Sequence, residues 1–339
     1  MRKFLAVLLI ILFWIILPLS FLLWSVKATL FKPTTYKTIF IKEDAYNKSI
    51  DILGQQLIDQ LASAGALPID ASIIKQLFKD TISPLWLQQN VEKLLDNIFP
   101  LIANEISLEK TDLIIPTVDL KNKISSVFTQ GIEDQIRKLP ACNADEEKNL
   151  NNSSDNSISL TCLPYGINAE EIVAEMNKST NQEDLTKDIP NQVDLRQYLF
   201  KDQKTLQYYQ NWYKFLGRMI IYLFIADAII LLFISLLLMY NIKSMLRWQG
   251  LAFFIPAVLF LPMILIMQFV LKPIISSLII AQLPQVTLPD LINLVNNLSF
   301  AFINKILSQL FWPTLSGFII GLTLVIIAGI IKKKNNEKK

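Results

Sequence analysis

The stretch LGRMIIYLFIADAIILLFISLLLMY, Leu216–Tyr240, decides the fold. A hydrocarbon core of ~30 Å takes roughly 20 apolar residues to cross as a helix, and this run exceeds that with one basic and one acidic residue, Arg218 and Asp227. Three further runs are of the same kind: Phe4–Val26, Gly250–Leu271 and Trp312–Ile331. A backbone surrounded by lipid must satisfy its own hydrogen bonds, so runs of this length are helices. The fold class is therefore membrane all-α, with transmembrane helices over 4–26, 216–240, 250–271 and 312–331.

Working outward, basic residues orient the bundle. Arg2 and Lys3 precede the first helix, Lys243 and Arg247 sit in the short 241–249 connection, and the tail 332–339 holds five lysines. Lys and Arg favour the cytoplasmic side, so both termini are expected there, in an inner membrane. Residues 27–215 and the loop 272–311 are then expected outside. The first run resembles a secretory signal, with a tolerable cleavage site around Val26–Ala28. Its apolar stretch is longer than the 7–15 residues usual for such a signal, and an uncleaved anchor is the expectation.

The formal net charge of +3 hides a division. Lys27 to Gly217 holds 20 Lys and Arg against 26 Asp and Glu, a net of −6, leaving +9 on the membrane and cytoplasmic parts. An acidic outer block argues against a nucleic-acid surface, and the basic ends suit anionic lipid. The chain contains no histidine, and no nucleotide loop, metal constellation or catalytic signature stands in it. No cofactor, metal or enzymatic activity is expected. Adjacent carboxylates such as Glu133 with Asp134 read as solvated faces, because neighbours on a helix do not face each other.

The two cysteines, Cys142 and Cys162, both fall in the outer block. A disulfide closing a mobile loop over 142–162 is expected, which implies an oxidising compartment. The enclosed stretch, rich in Asn, Ser, Asp and Glu, cannot repay its ordering entropy by burial.

The remainder of the outer block reads as mainly helical. Glu43–Ser63 is amphipathic, and Asp70–Phe78 has helical spacing of Ile73, Ile74, Leu77 and Phe78. Ser83 followed by Pro84 is a start signal for a helix ending near Pro100. Another opens at Thr117 or Asp119 and closes at Pro140, and a short one covers Asn168–Asn177. Ile106–Val118 alone reads as extended, which allows one short strand pair. Gln182–Asp194 reads as polar linker. Tyr208, Tyr209, Trp212 and Tyr213 suit the headgroup level, read first as an interfacial anchor and alternatively as part of a helix continuous with the second span. Residues 288–310 read as an amphipathic helix within the outer loop, expected to lie along the outer interface or under the outer block.

Three features could carry function. Asp227 lies mid-span, where an ionised side chain costs at least about 2.5 kcal/mol. Arg218, nine residues earlier, is ~13 Å away along the axis. Asp227 is thus expected to be protonated, or hydrogen-bonded to Ser235, Ser316, Thr323 or another chain, in a structural, ion-coupling or docking role. Gly317 and Gly321 form G-x-x-x-G, expected to pack helices within the chain or to join a homo-oligomer. Pro18, Pro256 and Pro262 can kink their helices. Asn47, Asn151, Asn152, Asn177 and Asn297 begin N-x-Ser sequons, read as chance products of a bacterial Asn-rich composition.

The segments Thr29–Tyr36 (TLFKPTTY), Asp44–Tyr46, Leu139–Cys142 (LPAC) and Thr161–Pro164 (TCLP) resemble a group of bacterial four-span membrane proteins with an outer helical domain between spans one and two. That resemblance implies an envelope location and no established activity. The architecture is also similar to permeases of the cell-division and macrolide-exporter ABC class, but the long 272–311 loop departs from them. The expectation is a non-enzymatic envelope protein whose outer domain binds a protein or apolar ligand, lipid among them. The alternative is a transport component using Asp227 and the kinked third helix.

Overall fold

The computed structural model describes residues 2–63, 71–143, 162–163, 166, 168–171, 174, 190–200, 203–282 and 289–331. Four of its helices are long and apolar enough to cross a membrane: α1 (Arg2–Leu30), and three later ones, α8 (Gln203–Leu238), α9 (Ile242–Gln282) and α10 (Pro289–Ile330). They mark a multi-pass membrane protein. Between α1 and α8 run α2 (Pro33–Lys42), α3 (Ala45–Ser63), α4 (Ala71–Thr81), α5 (Pro84–Ile102), α6 (Val118–Lys138) and the short α7 (Arg196–Leu199).

The bundle is held by one face of α1. Ala6, Ile10, Phe13 and Leu17 recur at helical spacing and are buried against Ile230, Ile234 and Leu238 of α8 and Ala252 of α9. Phe13 meets Phe253 edge-on at 5.4 Å, and Phe21 meets Phe224 at 5.9 Å, a ring geometry that adds to simple burial. The other face of α1, with Leu8, Ile11 and Ile15, is exposed, as lipid-facing side chains are.

The helices run past the ends that hydropathy marked. Within 272–311 the helix expected at 288–310 is present and is joined to the fourth apolar run, because α10 starts at Pro289 and passes Pro313 without a break, while α9 continues to Gln282 through Pro273. The stripe at 288–310 is thus continuous with the fourth apolar run in one helix. At 41 and 42 residues, α9 and α10 are each roughly 60 Å long, about twice a hydrocarbon core. Likewise α8 is one helix of 36 residues containing Tyr208, Tyr209, Trp212 and Tyr213, which selects continuity over a separate anchor.

The connecting segment follows its local signals in part. Lys32 is extended before Pro33 at the first position of α2, and the Ser83 side chain accepts from the Trp86 amide at 3.2 Å, satisfying an otherwise orphan donor. Asp44, between α2 and α3, has φ of 54°, a left-handed backbone that aspartate tolerates better than most residues, and the Asn47 amide donates to its carboxylate. The helix expected to end near Pro100 is α5, which reaches Ile102. The extended stretch holds β1 (Ile114–Pro116), antiparallel to β2 (Gln192–Asp194) with Ile115 opposite Val193. Its partner lies in the segment read as linker. Three paired residues carry almost no hydrophobic alternation, so no sequence signal marked them.

Two apolar clusters join this segment to the membrane helices. Leu101 of α5 and Leu113 are fully buried with Leu206 of α8, and the Gln210 side-chain amide donates to the Leu101 carbonyl at 2.9 Å. Ala45 and Ile52 of α3 are buried with Leu294 of α10. Beside them Tyr36 of α2 packs on Phe99 of α5 and Phe302 of α10, with ring centroids at 5.0 and 4.6 Å.

Tyr46 of α3 sits at this junction, 7% exposed, and its hydroxyl has no hydrogen-bond partner among the described residues. Burial first, and the Glu92 carboxylate second, push its phenol up to about 12. Because the folded-state value lies above the unfolded value near 10, stability is unaffected by this ionisation below pH ~10 and falls as pH climbs toward 12. Tyr46→Phe is expected to stabilise by about 1 kcal/mol, since it removes a buried unpaired hydroxyl, and to flatten the alkaline limb of stability. Denaturant melts in detergent at neutral pH and at pH 11 check both; a destabilised Phe variant would show that the hydroxyl has a partner.

Candidate functional site

Asp227 of α8 is 4% exposed and faces α1. Its Oδ2 lies 2.8 Å from the Ser20 hydroxyl, which also stands 2.9 Å from the Ile16 carbonyl one turn back. Its Oδ1 has no partner among the described residues. Ser20 itself is fully buried. The expected partners are elsewhere: Ser235 donates to the Leu231 carbonyl and accepts from the Gln249 amide, Ser316 donates to Trp312 and Thr323 to Ile319. Arg218 is exposed on the same helix.

Two further hydroxyl residues of α1, Ser25 and Thr29, lie four residues apart on a side turned away from Ser20 and are also fully buried. Thr29 donates to the Gln309 side chain of α10 at 3.0 Å, whereas the Ser25 hydroxyl has no partner among the described residues. Higher up, Lys27 lies over the Tyr213 ring at 4.5 Å, a cation–π contact. Polar groups of α1 thus meet α8 at Ser20 and α10 at Thr29. Chemically these contacts can clamp helices by hydrogen bonds, and the first offers one open carboxylate oxygen. Catalysis by a carboxylate pair would need a second acid, and among the described residues no group of three potential metal ligands occurs.

Ser20 escaped the sequence reading because serine is common in apolar runs. No sequence signal marks it: the antiparallel register of Phe21 with Phe224 and Phe31 with Tyr213, which brings position 20 within a turn of 227, is visible only in the fold.

The two candidate glycines behave differently. A Cβ on Gly321 would stand 2.6 Å from the Phe254 backbone nitrogen and 2.8 Å from the Gly250 carbonyl oxygen, both on α9. A Cβ on Gly317 would meet nothing within 4 Å. The close approach within the chain is therefore Gly321 to Gly250, and Gly317 takes no part in it. Gly317 instead borders a small apolar gap among Pro18, Pro256, Pro313 and Phe260, which leaves about 20 Å³, room for about one water and no larger ligand.

Cys142 and Cys162 form a disulfide with Cα atoms 4.8 Å apart. It is flanked by a parallel bridge of Ala141 with Leu163, in which the Cys142 amide donates to Leu163 and the Leu163 amide to Pro140, each at 2.8 Å. Most of the enclosed loop lies outside the described residues, as do residues 332–339. Closing a loop of 20 residues restricts the unfolded chain by about 3 kcal/mol. Replacing both cysteines with serine is expected to lower stability by that order, read as a shifted denaturant midpoint. An unchanged midpoint would mean that the loop is already closed by its backbone bonds.

Comparison with known proteins finds no family pattern, curated protein or solved structure that matches this chain.

Proposed function

We propose that this chain is a non-enzymatic envelope protein of a bacterial inner membrane, with both termini cytoplasmic. Residues 27–215 act as an outer, mainly helical domain that binds a protein or apolar ligand, and the bundle anchors it and passes on its state. The observation that carries this reading is the uninterrupted α8, whose Leu206 belongs to the core of the outer segment while Ile230 and Ile234 belong to the core of the bundle. A rigid helix shared by two cores moves them together. The seat of α3 on Leu294 of α10 supports a second link.

The test is mild-detergent copurification of the full chain from native membranes, with mass spectrometry of what travels with it. Envelope proteins or apolar ligands that are lost on deleting residues 27–215 support the reading. An ATPase retained by the bundle alone overturns it in favour of a transport component, the second reading. That alternative draws on Oδ1 of Asp227, which has no partner among the described residues and could take a transported cation or proton.

A further inference from the structure

Where α9 and α10 leave the apolar runs, they and the end of α2 enclose a cleft with room for about 490 Å³. Lys42 of α2, Lys272 of α9 and Lys305 of α10 line it, together with the amides of Gln268, Asn297 and Asn304. Glu43 is the one carboxylate among the lining residues, so the lining carries two net positive charges. None of the three lysines is ion-paired among the described residues. Lys272 rests over the Phe300 ring at 5.5 Å, a contact that holds the ammonium without neutralising it. The lysines of the connecting segment that stand in ion pairs, such as Lys37, Lys79 and Lys93, face carboxylates. The cleft lysines are left without such a partner.

The height of the cleft says what the partner is. Lys272 directly follows the third apolar run, and Ser308, also in the lining, lies one turn before Trp312 and the fourth. Both positions fall at the level of lipid headgroups, where phosphodiesters are the concentrated anion. We infer that the cleft is a binding site for the headgroup of an anionic phospholipid of the glycerol-hydroxyl class, on the side of the membrane that carries α2. The phosphodiester sits among the three ammonium groups, the amides and Ser308 hydrogen-bond the headgroup hydroxyls, and Ile39 and Phe300 face its hydrocarbon portion. A choline or ethanolamine headgroup would bring its own cation against three lysines. This inference rests on the membrane placement of α9 and α10 and is independent of what the outer domain binds.

The experiment uses the full chain in bilayers of phosphatidylcholine doped with a minor fraction of phosphatidylglycerol, followed by gentle extraction and mass spectrometry of retained lipid. Wild type is expected to enrich phosphatidylglycerol over phosphatidylcholine. The K42Q/K272Q/K305Q variant should lose that enrichment by roughly a hundredfold, from three lysines acting near a surface anion. A K75Q/K79Q/K93Q control makes the same charge change on α4 and α5 and should keep it. The three cleft lysines are exposed, so the variant should fold; if its melting temperature falls, the single reversal K305E is read in its place. Equal retention of both lipids by wild type overturns the proposal, as does unchanged retention by the cleft variant. Displacement of the lipid by millimolar inorganic phosphate would also overturn it, by making this a site for free anions.

Discussion

Gly321→Leu is expected to remove the folded protein from the membrane fraction, and Gly321→Ala to destabilise it by about 1–3 kcal/mol, the usual range for overpacking a filled interface. The atoms in the way decide the size of the effect. Phe254 nitrogen at 2.6 Å, Gly250 oxygen at 2.8 Å and Phe254 Cα at 2.9 Å are all backbone, so no rotamer change relieves the clash and α9 must move away from α10. Moving it would also pull apart Phe254 and Phe318, stacked at 5.2 Å nearby. Gly250→Ala meets the same crossing from the other side, at Val325 and the Gly321 carbonyl, and should cost a similar amount. Gly317→Ala places its methyl in open space and gains the ~0.8–1.0 kcal/mol of helix propensity that separates alanine from glycine. Membrane abundance and thermal melts in detergent measure the series. A Gly321→Ala protein as stable as wild type would mean that the helices do not cross at this point. Equal damage at positions 317 and 321, with loss of a dimer, would instead restore the motif as a face between two copies.

The apolar runs made the four membrane helices legible, because a hydrocarbon-length stretch without charge has few other uses. Their true ends were not, since hydropathy reports where lipid ends and not where hydrogen bonding does. Asn293, Asn297 and Asn304 lie on a stripe that reads as a separate interfacial helix and are exposed positions of α10 in space. Pro273 and Pro313 look like stops, yet each removes a single backbone bond inside a helix already held by its neighbours. The Ser83 cap and the Cys142–Cys162 pair were readable because each depends on residue chemistry at short range. The strand opposite Ile115, the Gly250 partner of Gly321 and the Ser20 partner of Asp227 were not readable, because each depends on which distant segment arrives alongside.

Ser20→Ala is expected to be the more damaging half of a non-additive pair with Asp227. Removing the hydroxyl leaves both oxygens of a buried carboxyl without a protein partner in the hydrocarbon core, which costs about 1–3 kcal/mol at a minimum. The reverse change is mild. In Asp227→Val, Ser20 keeps its bond to the Ile16 carbonyl at 2.9 Å, so no polar group is orphaned and an apolar side chain replaces one that is expensive to bury. The double variant S20A/D227V should therefore be more stable than S20A alone, with a coupling of about 1–3 kcal/mol in a double-mutant cycle. Asp227→Asn keeps polar atoms at the position and should preserve abundance. It also separates the two roles of the site, since an amide cannot take up or release a proton as a carboxyl does. Normal abundance with normal envelope phenotype in Asp227→Asn assigns Asp227 to helix clamping, and normal abundance with a lost phenotype assigns it to ion or proton coupling. Additive losses for Ser20→Ala and Asp227→Val would show that the two side chains do not act on each other, and the clamp between α1 and α8 would have to be sought in the apolar face of Phe13 and Ile234 alone.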